Sequence, residues 1–74
     1  MKAEDVMQDI RDYMAYYYPQ QCRACEIQQY LNALTGYAYD ANEVFEFMNY
    51  WSENKRPAFE KEVINGHAYF RVIL

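Results

Sequence analysis

Apolar positions recur at helical spacing through most of the chain and change to alternation near its end. Val6, Ile10, Tyr13, Met14 and Tyr17 make one stripe, which predicts a helix over residues 3–18. Glu4, Asp5, Asp9 and Asp12 lie mostly off the stripe, and acids near a helix start suit its dipole. Pro19 closes this segment, because its ring pushes Tyr18 out of the α region. A second helix is predicted over 23–34, with Ile27, Leu31 and Leu34 as its stripe and Ala24 and Tyr30 beside it. Gly36 stops it, since a glycine just past a helix end can turn left-handed. The third helix spans 40–53. Asp40 and Glu43 have capping-box spacing, Val44, Phe47, Met48 and Trp51 face inward, and Phe45 lies at the margin. Asn54 and Pro57 mark its end.

Two alternating runs, 58–64 and 67–74, flank Asn65-Gly66. Both residues of that pair tolerate the positive φ of a type I′ turn, so the runs predict a hairpin. A two-residue loop pairs Val63 with Ala68, Phe59 with Val72 and Glu60 with Arg71. One face then holds Phe59, Val63, Ala68, Phe70, Val72 and Leu74, and the other holds Glu60, Glu62, His67, Tyr69 and Arg71. A slip of one residue would invert this sorting, which fixes the register. Lys61 falls on the apolar face; its stem is expected at the core edge with its ammonium in water.

With 74 residues the chain fits one domain, 1–74. So small a domain has a thin stability margin, but aromatics at 19% supply large buried areas. Acids outnumber bases 11 to 7, a formal charge of −4, which argues against simple phosphate binding and against anionic membranes. No apolar run approaches the roughly 20 residues of a bilayer span. The start, Met1-Lys2-Ala3-Glu4-Asp5, has no apolar signal core, and two cysteines are too few for a disulfide framework. A cytoplasmic protein is expected.

Three short helices followed by a hairpin resemble the winged helix-turn-helix superfamily, over nearly the whole chain. Two local features carry the likeness: Glu26-Ile27-Gln28-Gln29-Tyr30-Leu31, similar to the family's second helix, and the Asn65-Gly66 wing tip. They point to no particular member. The resemblance implies an α+β fold, a three-helix core followed by a C-terminal β-hairpin wing. It also implies that residues 40–53 are the recognition helix and 58–74 the wing. The turn at 35–39 is slightly longer than the 3–4 residues of a tight helix-turn-helix.

In DNA-binding members the third helix enters the major groove with polar and basic side chains. Here it carries Asp40, Glu43, Glu46 and Glu53 and no Lys or Arg between 40 and 54, while the rest of the chain balances seven acids with seven bases. Its outward face is expected to show Asn42, Glu43, Glu46, Asn49, Tyr50 and Glu53. Glutamates set against phosphates repel, so base reading is not assigned to these positions. They are either a docking face for a protein or an ordinary solvated surface. Bases for nucleic acid remain at the wing and its entry: Lys55, Arg56, Lys61 and Arg71. The plainer role for Arg71 is a cross-strand pair with Glu60.

Cys22 and Cys25 have the spacing of half a zinc site or a redox pair, near a helix start that lowers a thiol pKa. A structural zinc needs four ligands and the chain adds only His67, so two small, partly buried side chains are expected and no metal or cofactor. His67, beside a turn, is expected in solvent. Tyr16, Tyr18, Tyr37, Tyr39 and Tyr50 are too many to bury; they either cap the core edge or meet a partner. No phosphate loop, nucleophile elbow or defining acid pair appears, so no enzyme is expected. Two functions stay open. One is a non-catalytic regulator in gene control that contacts protein through the acidic third helix and exposed tyrosines. The other is a transcription factor binding double-stranded DNA through the wing bases, as a homodimer or alone.

Overall fold

A computed structural model describes the backbone of residues 3–74 and the side chains of 6–74. The expectations for the start of the chain and for the side chains of Glu4 and Asp5 lie outside the described residues. Three helices precede one hairpin: α1 (Ala3–Tyr17), α2 (Ala24–Thr35), α3 (Ala41–Glu53), β1 (Phe59–Ile64) and β2 (His67–Val72). This is the α+β layout that the sequence predicts, a three-helix core with a C-terminal hairpin wing.

The core takes Val6, Ile10 and Met14 from α1, Ala24, Ile27 and Leu31 from α2, and Val44, Phe47 and Met48 from α3. Phe59, Phe70 and Val72 close it from the hairpin. The amphipathic stripes therefore converge as their spacing requires, except that Tyr17, expected in the α1 stripe, is exposed at the helix end. Trp51, expected inward, is half-buried against this cluster and lies 6.5 Å from Phe47, centroid to centroid.

Helix ends follow local chemistry. The Asp40 carboxylate accepts from the Asn42 N–H at 2.7 Å, so Asp40 is the N-cap of α3 and the helix begins one residue later than predicted. Ahead of α2, the Glu26 carboxylate accepts from the Arg23 N–H at 3.1 Å, and Arg23 is likewise a cap. Gly36 has φ 73° and returns its N–H to the Asn32 carbonyl at 3.0 Å, the left-handed ending its position predicts. α1 stops at Tyr17, and the Tyr18–Pro19 peptide is cis.

The α2–α3 turn is held by side chains. The Asn32 amide bonds both sides of the Tyr39 backbone: its Oδ1 accepts from the N–H at 2.8 Å and its Nδ2 donates to the carbonyl at 3.3 Å. Gln28 Nε2 donates to the same carbonyl at 3.0 Å. The clamp draws the returning chain onto the Asn32 face of α2. It also explains a departure from expectation: Leu34, expected in the stripe, is 53% exposed. Leu34 lies two residues past Asn32, about 200° around the helix, so the loop cannot cover it.

The hairpin has the predicted register, Phe59 with Val72, Glu60 with Arg71 and Val63 with Ala68. Its turn residues Asn65 and Gly66 have φ of 52° and 79°. Only the root of the inner face is covered, however. Exposure rises from 1% at Phe59 to 61% at Val63, because the ribbon projects past the helices. Leu74, expected on the same face, lies beyond the strand and is 77% exposed. The root is fastened by a bridge absent from the sequence reading. Cys22 and Phe70 exchange backbone hydrogen bonds at 2.7 and 2.8 Å, giving β2 a second neighbour from the α1–α2 connection. The Ala58 N–H donates to the Trp51 carbonyl at 2.9 Å and ties the other strand to α3.

Candidate functional site

α3 presents a polar stripe at helical spacing. Asn42, Glu46, Tyr50 and Glu53 are exposed, while Glu43 and Asn49 are half-buried. The Tyr50 ring stands edge-on to Trp51 at 5.3 Å, so a partly covered indole braces an exposed phenol. The predicted outward face thus exists, with Glu43 and Asn49 at its edges.

The wing bases are divided. Lys61 folds back: its Nζ donates to Asn49 Oδ1, lies 3.8 Å from Glu53 Oε1 and sits 5.9 Å above the Phe45 ring. Its ammonium stays at an exposed site, as expected, and there meets the α3 surface, where Phe45 offers a ring face and Asn49 and Glu53 offer oxygens. Arg71 pairs with Glu60 through Nε at 3.0 Å and lies 5.7 Å from the Tyr18 ring centroid. The neighbouring Glu60 carboxylate pushes the Arg71 pKa up. Lys55 and Arg56 are exposed, and their side chains have no partner among the described residues.

The cysteines separate. Cys22 is buried at the hairpin bridge and Cys25 is exposed. The helix start does not lower the Cys22 thiol as expected: burial, reinforced by Glu26, pushes its pKa above the ordinary 9.0. Among the described residues no three His, Cys, Asp or Glu side chains gather to hold an ion. His67 Nδ1 lies 3.2 Å from the Arg23 guanidinium, which also sits 5.9 Å from the Tyr69 ring centroid. The raised thiol has a consequence for pH. The folded state holds the Cys22 proton more tightly than the unfolded state, so this contribution is complete below pH 9.0 and is lost as pH rises through the folded pKa. Urea midpoints measured from pH 7 to 11 should fall at the alkaline end, with a shallower fall in Cys22→Ala. Parallel curves for the two proteins would contradict the assignment.

A second surface was missed in the sequence. Asp12, Tyr13, Tyr16 and Tyr17 of α1 and Tyr30 of α2 line a cleft of about 360 Å³. Its rings form a row: Tyr16 to Tyr17 at 5.0 Å, Tyr17 to Tyr13 at 4.9 Å and Tyr13 to Tyr30 at 4.6 Å. The i, i+4 spacing of Asp12 with Tyr16 and of Tyr13 with Tyr17 is legible in the chain; the arrival of Tyr30 is set by how α2 packs on α1.

No family model, curated protein or solved structure matches this chain. No helix among the described residues is long and apolar enough to cross a membrane. The candidate surfaces therefore rest on their own geometry: an acidic helix face and a tyrosine cleft.

Proposed function

We propose that this chain is a small non-catalytic regulatory domain of winged helix-turn-helix type that acts in gene control by contacting another protein. One observation carries the reading: the outer face of α3, where such a domain would meet DNA, has acids and no Lys or Arg from 40 to 54. The nearest wing base, Lys61, is drawn onto that face by Asn49 and Glu53 and adds little free positive charge. A polyanion would be repelled there, whereas a basic protein surface would be attracted. Tyr50, exposed and braced by Trp51, supplies the rigid amphipathic ring common at protein interfaces. A cytoplasmic setting goes with this proposal.

Direct duplex binding is the second reading, and the exposed Lys55 and Arg56 favour it. Titration of labelled random-sequence duplex at about 50 mM salt separates the two, because non-specific affinity is greatest when counterions are scarce. The expected result is no association. Clear binding that Lys55→Ala with Arg56→Ala abolishes would replace the protein-contact reading.

A further inference from the structure

We propose that the tyrosine cleft between α1 and α2 receives an arginine side chain from the protein partner. The inference rests on the protein-contact reading above and adds a second, chemically distinct contact to it.

Tyrosine faces are negative and attract cations, and guanidinium stacks on them well because it is flat and weakly hydrated. The rings in the row are inclined to their neighbours by 80°, 53° and 39°, so their faces point in several directions around the cleft. Asp12 adds a carboxylate at the rim. Its Oδ1 accepts from Gln8 at 2.7 Å, and its other oxygen accepts nothing among the described residues. Arginine combines a plane for the rings with donors for that oxygen. The chain's own arginines make the same contact elsewhere: Arg71 on Tyr18 at 5.7 Å and Arg23 on Tyr69 at 5.9 Å. Among the described residues no cation of this chain lies over the rings of the cleft.

The electrostatics of the lining point the same way. Tyr13 has its pKa raised by burial first, and then by Cys22, Tyr17 and Glu26, so further negative charge is disfavoured there. The openness of the cleft selects the source of the cation. Tyr16 remains 81% exposed and Tyr17 43%, so a free small ion would stay largely hydrated. A side chain delivered by a partner surface is covered from the other side.

The test uses the full chain with assigned tyrosine ring resonances. N-acetylarginine amide is titrated, followed by N-acetylcitrulline amide, a neutral compound of nearly the same shape. Arginine is expected to shift the rings of Tyr13, Tyr16, Tyr17 and Tyr30 saturably, with citrulline at least about fivefold weaker. Tyr16→Leu and Asp12→Asn, both at exposed positions, should each weaken arginine about two- to fivefold while circular dichroism stays native. Glu46→Gln with Glu53→Gln should leave the ring shifts unchanged. Equal response to citrulline, or no ring shifts, overturns the proposal. If arginine shifts only α3 and is lost in the double glutamine variant, the cleft proposal falls and the acidic-helix reading stands. If wild type binds duplex DNA, that reading falls while the arginine titration is still judged on its own outcome.

Discussion

Phe70→Ala is expected to bring the chain close to unfolding at 25 °C. Phe70 is 0% exposed, and its backbone forms both bonds of the Cys22 bridge. Truncating a buried phenylalanine costs about 3–5 kcal/mol, from lost transfer energy and the cavity left behind. A domain of 74 residues has roughly 4–11 kcal/mol in total. The backbone bridge survives the substitution, but the ring that joins hairpin to helices is gone. Urea denaturation followed by circular dichroism measures the effect. A loss under about 1 kcal/mol would show that the hairpin is not part of the cooperative core.

The second large effect is a gain of function. Asn42→Lys, Glu46→Lys and Glu53→Lys together carry the formal charge from −4 to +1, one unit from Asn42 and two from each glutamate. All three positions are exposed, so the fold should tolerate them. If α3 is placed as a recognition helix, three new phosphate contacts should create duplex binding that is absent in the parent. Binding should weaken about fortyfold between 50 and 200 mM salt, following a slope of about −0.9 per contact. A triple variant that still ignores duplex would mean that α3 is not presented as a groove-reading element, and the winged helix-turn-helix reading would fail.

Wherever a periodic pattern met a strong local signal, the fold was legible. The stripes of α1 and α3, the stop at Gly36 and the register around Asn65-Gly66 depend on near neighbours. Tyr17, Leu34 and Val63 depart because periodicity reports which face a residue occupies, not how far the neighbouring element extends. Leu34 faces past the loop that Asn32 clamps, and Val63 sits where the ribbon outruns the helices. The Cys22–Phe70 bridge was hidden because it needs one extended residue at a turn and a partner 48 positions away. The acidic face of α3 was legible as charge at helical spacing, whereas the capture of Lys61 by Asn49 and Glu53 required the packing of hairpin on helix. Four of the five residues that line the tyrosine cleft were present in α1's own spacing, and Tyr30 came with α2.

The bridge at Cys22 divides the wing mechanically. Near Phe70 the ribbon is bonded on both sides, to β1 and to the α1–α2 connection, so its stem moves with the helices. Toward Asn65 it is a two-stranded arm with Val63 and Ile64 exposed, and side chains rather than backbone tie it down, Arg23 meeting His67 and Tyr69. A load at the tip therefore reaches the helices through the side chains of Arg23 and Lys61 as well as along the strands to the bridge.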